Sequence, residues 1–300
     1  MNARSSREKS VSYVTPDPVL ILRYFAALSV MLLHFSGIWF GAHEWAVEKA
    51  PLLMRIRNFT LLFPGVVILF SLSGYFIAGS LQRLSEQYSS WSQVFRSFMG
   101  KRIRRIYPPL WLNSVFNLAV LSLTGRAVIR AKDVAVWFFA QLLGISATPG
   151  SLKAYASGSV NGALWTIFVQ MQFYLLFVCL YPLVRKKDRS FLACLLGIAF
   201  LVNIAAGILF GGEPSGIIGK LVERSFLPYV IWFLIGAACR LLRHSIFAGS
   251  GARNLPAVFT ALYLLISFGM HLTGIVVPGY YTNAVTGVFV SLITGLLCVR

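Results

Sequence analysis

The sequence predicts an all-α, polytopic membrane helical bundle with about eight transmembrane helices, one short re-entrant or interfacial helix and a cytoplasmic N-terminus. Hydrophobic residues make up 57% of the 300 positions, charged residues only 12%, and the mean hydropathy is +0.74. Soluble domains carry roughly 25% charged residues. The 27 Lys and Arg residues lie mainly between apolar runs. The positive-inside rule therefore explains the +18 net charge better than binding to nucleic acid does.

The chain divides into an N-terminal tail and one membrane-embedded domain. Residues 1–18 are polar and basic, which predicts a cytoplasmic tail, and they end at the helix-start signal Asp17-Pro18. Residues 19–300 form the predicted domain. Its last apolar run stops near Arg300, which leaves open whether helices of a longer parent are missing. The first apolar run exceeds the roughly 7–15 residues of a signal-peptide core, which favours an uncleaved signal-anchor.

Eight apolar runs predict transmembrane helices, and the third of them begins near Tyr107-Pro108-Pro109 because proline is tolerated in a first helical turn. The eight runs cover about 19–41, 59–81, 107–124, 163–184, 190–210, 226–242, 255–272 and 283–299.

A ninth run, 134–146, has about 13 residues and is short for a helix that crosses a bilayer. If it crossed, the cluster Arg185-Lys186-Lys187 would lie outside, against the positive-inside rule. We therefore predict that it is re-entrant. This topology places 18 of the 27 Lys and Arg residues on the inner side and nine outside.

Two ionisable residues, Arg23 and His34, lie within the first apolar run. Eleven residues of helix separate them by about 16 Å on nearly the same face. Charged or titratable groups inside lipid are costly and tend to face protein or water. His34 is the best candidate for a general base, although a packing histidine is an equal alternative. Arg23 alone is more often an interfacial anchor than a ligand group.

The basic run Lys101-Arg102-Ile103-Arg104-Arg105 can hold a polyanion, because guanidinium groups bind phosphate bidentately. A cytoplasmic anchor is the simpler interpretation of this run alone. Beyond the first helix, Glu44 or Glu48 can orient His34 if the loop folds back, although a solvated loop is the simpler interpretation.

The cysteines lie in apolar runs without metal-ligand spacing, which predicts small buried residues with no disulfide and no metal site. They are Cys179, Cys194, Cys239 and Cys298. No Walker or Rossmann glycine loop, CxxC or HExxH is present.

Four stretches in chain order resemble the motifs of the acyltransferase-3 family of integral membrane O-acyltransferases. Leu22-Arg23-Tyr24-Phe25-Ala26-Ala27-Leu28 leading to His34 is similar to that family's Arg-(ten residues)-His signature. The other three stretches are Phe70–Ile77, Lys101–Pro108 and Leu164–Tyr174. Each motif is weak alone, and the ordered set over residues 19–184 is specific. The last 115 residues are similar only as a pattern of membrane helices.

The resemblance implies a transfer of an acyl group, with acetyl expected, from cytoplasmic acyl-CoA to a hydroxyl of a cell-surface or lipid-linked glycan. His34 would be the general base, and Arg23, Arg102 and Arg105 would hold the coenzyme, with Lys101 and Arg104 nearby. The resemblance implies a multi-pass protein of the bacterial inner membrane, with acyl-CoA as donor substrate and no permanent cofactor. The supporting residues are Ser73, Trp165, Gln170 and Tyr174.

The fourth stretch departs from the family pattern, because Gln170 stands where a glutamate is usual. An amide can hydrogen-bond but cannot take a proton as a carboxylate does. The position is then structural, or another acid such as Glu44 substitutes, or the transferase activity is weakened or lost. Two alternatives to the active enzyme therefore stay open: an impaired homologue, and a non-enzymatic glycan or lipid translocator. The small residues Ser71, Ser73 and Gly74 of the second stretch also predict close helix packing.

Overall fold

The computed structural model describes residues 17–42, 63–124, 130–143, 145, 149–154, 164–186, 189–210, 217–246, 254–272 and 284–299. Within these ranges the regular elements are helices. They are α1 Pro18–Ala42, α2 Gly65–Gln87, α3 Trp91–Thr124, α4 Ala131–Leu142, a 3₁₀ turn Gly150–Ala154, α5 Trp165–Lys186, α6 Arg189–Phe210, α7 Ile217–Glu223, α8 Val230–Leu241, α9 Arg243–Ile246, α10 Leu255–Leu272 and α11 Ala284–Val299.

The polytopic helical fold is confirmed. In the described part of the chain, α2, α3, α5 and α6 are long and apolar enough to cross a membrane. Shorter apolar stretches lie in α1, α8, α10 and α11, so these eight helices correspond to the eight predicted runs. The helix-start signal also holds, because the carboxylate of Asp17 accepts a hydrogen bond from the backbone N–H of Val19 at 3.0 Å.

Helices α2, α8 and α11 form the centre of the bundle, and small residues allow α2 and α8 to touch. A Cβ atom on Gly74 would overlap the carbonyl of Phe233, and one on Gly236 would overlap the carbonyl of Ser71. The hydroxyl of Ser71 also donates to the carbonyl of Ser291 in α11 at 3.0 Å. The close packing predicted for Ser71 and Gly74 is therefore present.

Contacts near both ends of a helix pair show whether the two helices run parallel or antiparallel. Helix α5 runs parallel to α2, because Trp165 packs on Phe70 near one end and Arg185 donates to the Ser85 carbonyl near the other. Helix α3 runs antiparallel to α5, as two ring pairs show. They are Phe98 with Tyr174 and Trp91 with Tyr181.

Helix α4 runs back along α3, as the re-entrant prediction requires. The Trp111 indole donates to the carbonyl of Leu142 at 3.0 Å, and the Tyr107 hydroxyl donates to that of Leu143 at 3.4 Å. Since α4 and α5 are both antiparallel to α3, they run in the same direction. The shared direction of α4 and α5 fits a ninth run that does not cross the membrane, and its re-entrant character stays a prediction.

The predicted start of the third helix at Tyr107 is wrong. Helix α3 begins at Trp91, and Pro108 and Pro109 lie inside it. Val94 and Phe98, one turn apart, are buried against the bundle, which favours helix well before the prolines. Prolines inside membrane helices are tolerated because neighbouring groups satisfy the freed carbonyls.

Two smaller differences concern a loop and the cysteines. Helix α7 lies within the segment 211–225, between two of the predicted runs, where no helix was predicted. All four cysteines are free, and only Cys239 is buried. Cys179 and Cys194 are exposed because they lie on outward faces of α5 and α6. Apolar residues tolerate such positions when lipid is the solvent.

Candidate active site

A cavity of about 470 Å³ opens between α1, α2, α3 and α5, and we call it the arginine cavity. Each helix contributes residues three or four positions apart, which share one helix face. The lining residues are Leu20, Arg23, Tyr24 and Ala27 of α1, Leu69, Leu72, Ser73 and Phe76 of α2, Arg102, Arg105 and Ile106 of α3, and Gln170 and Tyr174 of α5.

Aromatic faces hold two of the guanidinium groups. The Cζ atom of Arg23 lies 4.5 Å from the centre of the Phe76 ring. The Cζ atom of Arg102 lies 5.1 Å from the Phe98 ring and 5.3 Å from the Tyr174 ring. Such contacts are worth about 0.5–2 kcal/mol each, and they leave guanidinium N–H groups available. The buried Nε of Arg102 has no hydrogen-bond partner in the described structure.

The cavity carries uncompensated positive charge. Arg23, Arg102 and Arg105 line it, and none of its described lining residues is Asp or Glu. Arg23 and Arg102 are half-buried, whereas Arg105 is exposed. Charges withdrawn from water are usually paired, so the two half-buried guanidinium groups, with a third beside them and no carboxylate among the described lining residues, favour an anionic ligand.

Gln170 forms the polar edge of the cavity together with Ser73 and Tyr174. Its side-chain amide donates to the Ser73 hydroxyl at 2.5 Å, and the Tyr174 hydroxyl also hydrogen-bonds with Ser73. This contact joins the middle of α5 to the middle of α2. A glutamate at position 170 would reverse the direction of the bond, because a carboxylate can only accept from the hydroxyl.

The structure brings six of the predicted site residues together in one cavity and leaves four outside it. The six are Arg23, Ser73, Arg102, Arg105, Gln170 and Tyr174. Lys101 and Arg104 are exposed on other faces of α3. Trp165 packs against Phe70 and Tyr229, with ring centres 6.2 and 5.2 Å apart.

His34 is exposed on α1 and does not line the described arginine cavity. Helix geometry places it about 16 Å beyond Arg23, so its predicted role as a base stays a prediction. Glu44 and Glu48 lie outside the described residues. Sequence reasoning missed Phe76 as a partner of Arg23, although Phe76 follows Ser73 by one turn within the second motif.

All four motif stretches contribute side chains to the same cavity. Arg23 comes from the first, Ser73 from the second, Arg102 from the third and Gln170 from the fourth. A family model described as an acyltransferase domain matches residues 20–299. The chain belongs to the acyltransferase-3 family. The match covers the C-terminal helices as well as the motif region.

The chain is similar in sequence to Nodulation protein 10 of Rhizobium leguminosarum bv. viciae. It is 31% identical to this acyltransferase-3 chain over 248 residues, which cover 71% of this chain and 63% of that protein. The chain thus spans less than two thirds of the relative's length. No solved structure matches it.

Proposed function

We propose that this protein is a membrane O-acyltransferase that moves an acyl group from acyl-CoA to a hydroxyl of a cell-surface or lipid-linked glycan. The observation that supports this most is the arginine cavity, with three guanidinium groups and no carboxylate among its described lining residues. Coenzyme A carries a diphosphate and a 3′-phosphate, and guanidinium groups bind such anions bidentately. Family membership favours acyl transfer over translocation.

Arg23, Arg102 and Arg105 hold the phosphates in this proposal. The Phe76 ring fixes Arg23, while the Phe98 and Tyr174 rings fix Arg102, so little side-chain entropy is lost on binding. Charge-assisted hydrogen bonds of this type contribute about 1.5–3 kcal/mol each. The positive-inside rule places this end of α1 and α3 nearer the cytoplasm, where acyl-CoA is made.

His34 is the proposed general base. Its imidazole takes the proton from the acceptor hydroxyl as the oxygen attacks the thioester carbonyl, and the coenzyme thiolate then leaves. The separation of about 16 Å between Arg23 and His34 along α1 matches a donor whose phosphates and thioester lie at opposite ends of a long pantetheine arm. The acceptor reaches His34 from the outer side. We place the protein in the bacterial inner membrane.

Mass spectrometry of surface glycans tests the proposal. Cells that express the wild-type protein should carry an acyl mass, expected to be acetyl, that is missing from cells without the gene. The variant His34→Ala should insert into the membrane normally and lose transfer by about 10²–10⁴-fold, the usual share of a general base. Full activity in that variant would remove His34 from the mechanism, and identical glycans with and without the gene would contradict the function itself.

A further inference from the structure

The arginine cavity has an apolar side that phosphate binding does not explain. On α1, Leu20, Tyr24 and Ala27 are three or four positions apart, so they share one helix face, and all three line the cavity. Leu69 and Leu72 of α2 line it as well. Leucine and alanine side chains offer phosphate oxygens no hydrogen-bond donor. Within the proposed function, this side of the cavity is therefore left for another part of coenzyme A.

Three aromatic residues line the described part of the arginine cavity, and Tyr24 is the one whose ring is uncovered. The Phe76 ring carries the guanidinium of Arg23, and the Tyr174 ring carries that of Arg102. Tyr24 is 68% exposed, and its ring has no aromatic or cation contact with another described residue. An open aromatic face beside guanidinium groups can take a flat ring that is joined to phosphates.

Gln170 supplies a hydrogen-bond acceptor on another wall of the same cavity. Its Nε2 atom donates to the Ser73 hydroxyl at 2.5 Å, which fixes the orientation of the carboxamide. The carboxamide oxygen lies on the other side of the group from Nε2, and no described residue donates to it. A carboxamide oxygen accepts hydrogen bonds, so this atom can receive an N–H group from a ligand in the cavity.

A purine base combines flat faces that stack on aromatic rings with a polar edge that amide side chains recognise. We propose that the arginine cavity also holds the adenine base of the donor coenzyme, with its face on the Tyr24 ring and its exocyclic amino group donating to the Gln170 carboxamide oxygen. This inference rests on the proposed function. The small side chain of Ala27, one turn along α1 from Tyr24, leaves space for the base beside the ring. The cavity would thus select a nucleotide over a free phosphate.

An adenine site gives the departure at position 170 a function in donor binding. A carboxamide and a carboxylate can both accept from the adenine amino group. The carboxylate would add a negative charge close to the coenzyme phosphates on Arg102, whereas Gln170 accepts without that repulsion. Gln170 is then a residue that positions the donor, and no proton transfer is required of it.

Calorimetry on the purified protein tests the stacking contact with two donors, acetyl-CoA and S-acetyl-4′-phosphopantetheine, which lacks the nucleotide. Tyr24→Leu should weaken acetyl-CoA binding about tenfold and change binding of S-acetyl-4′-phosphopantetheine less than twofold. Tyr24→Phe keeps the ring and should bind acetyl-CoA within about twofold of wild type. The matched control is Phe116→Leu, an exposed ring on α3 outside the described cavity lining, which should leave both affinities unchanged.

A modified coenzyme tests the contact with Gln170. The bridged adenine of 1,N⁶-etheno-CoA keeps the flat ring and the phosphates but has no amino N–H to donate. Wild type should bind coenzyme A about fivefold more tightly than the etheno form, whereas Gln170→Leu should bind the two within about twofold of each other. Equal affinity of wild type for the two coenzymes would overturn the proposal.

Failure of the adenine site can be distinguished from failure of the proposed function. Undiminished acetyl-CoA affinity in Tyr24→Leu would overturn the adenine site and leave the proposed function standing, because wild type still binds the donor. Absence of acetyl-CoA binding by wild type would contradict the proposed function as well. If Tyr24→Leu does not fold, Ala27→Trp retains Tyr24 and fills the space beside its ring. Ala27→Trp should weaken acetyl-CoA binding about tenfold, and unchanged affinity in this variant would also overturn the proposal.

Discussion

The two faces of α2 show how one helix serves both as scaffold and as site wall. One face contacts α8 and α11 through Ser71 and Gly74, whose small size brings backbones together. The other face presents Ser73 and Phe76 to the arginine cavity. Membrane helices gain little from hydrophobic burial, so close packing and hydrogen bonds hold the first face in place.

The cavity face has the opposite character. Its partners α1, α3 and α5 bring charged and polar side chains, and they leave a space of about 470 Å³ unfilled. Tight packing on one side of α2 thus holds the open side at fixed geometry. Substitutions on the two faces should therefore have different consequences, with loss of the fold on the packed face and loss of ligand binding on the cavity face.

Gly74→Leu should disrupt the packing of α2 against α8. A side chain at Gly74 meets the Phe233 backbone carbonyl, which cannot move as a flexible side chain can. Overpacking costs about 1–3 kcal/mol or more, so we expect little monodisperse protein and a lower melting temperature. Gly197→Leu is the matched control, because a Cβ there meets nothing within 4 Å. Equal melting temperatures for the two variants would contradict the close α2–α8 contact.

Arg102→Gln should weaken ligand binding in the arginine cavity without unfolding the protein. The substitution removes the guanidinium that contacts the Phe98 and Tyr174 rings, and with it the proposed charge-assisted contact to the donor phosphates. We expect kcat/KM for acyl-CoA to fall about ten- to a hundredfold, the equivalent of roughly 1.5–3 kcal/mol. Arg104→Gln, on an exposed face of α3 outside the described cavity lining, should have a much smaller effect. Similar losses in both variants would mean that the donor is attracted by the overall positive charge of α3 and not by this cavity.

Gln170→Glu tests the departure from the family pattern. The carboxylate can accept from the Ser73 hydroxyl, so the α2–α5 contact and the fold should persist. Its negative charge near Arg102 should repel the donor phosphates and raise the KM for acyl-CoA several-fold. Steady-state kinetics would show this as a KM effect with kcat little changed. A large rise in kcat would instead identify position 170 as an acid–base position weakened in this chain.

Phe76→Leu should have a smaller effect on the same cavity. Leucine keeps the apolar wall but loses the ring beneath Arg23, a contact worth about 0.5–1 kcal/mol at a partly exposed site. Calorimetry should show acyl-CoA binding weakened about two- to fivefold. Phe139→Leu, an exposed ring on α4 outside the described cavity lining, serves as the control. An unchanged affinity in Phe76→Leu would mean that the ring does not orient Arg23.

The smallest effect is expected at Asp133, remote from both faces of α2. Hydrogen bonds from the Ser151 hydroxyl and amide lower the pKa of this carboxyl below 3.8. A depressed pKa contributes stability that is present above the unfolded pKa and lost as pH falls through the folded value. Hydrogen exchange at the Ser151 amide should therefore be faster in Asp133→Asn than in wild type near neutral pH, with the difference shrinking below pH 3.8. A difference independent of pH would contradict the charged hydrogen bond.

Charge and hydropathy predicted most of the topology. The re-entrant helix was predicted because Arg185 and its neighbours belong on the inner side, and the contacts of Tyr107 and Trp111 place the end of α4 against α3. The start of α3 was missed because the pair Pro108-Pro109 reads locally as a helix start. Burial of Val94 and Phe98 against the bundle overrides that signal, and such tertiary contacts cannot be read from the local pattern.

The arginine cavity was predicted only in part, for a similar reason. The motif residues could be recognised individually, but the distances between the helices that carry them cannot be obtained from the sequence. The bond from Gln170 to Ser73 and the ring beneath Arg23 depend on the spacing of α1, α2 and α5. The sequence also grouped Lys101 and Arg104 with Arg102, although helical periodicity turns these two away from the cavity.

Calorimetric titration of acetyl-CoA into the purified protein measures whether the arginine cavity holds the acyl donor. The triple variant Arg23→Gln/Arg102→Gln/Arg105→Gln should bind at least about a hundredfold more weakly than wild type, because it removes all three charged contacts. Arg96→Gln should bind as wild type does. Unchanged affinity in the triple variant, with the fold intact, would contradict the assignment of the arginine cavity to the acyl donor.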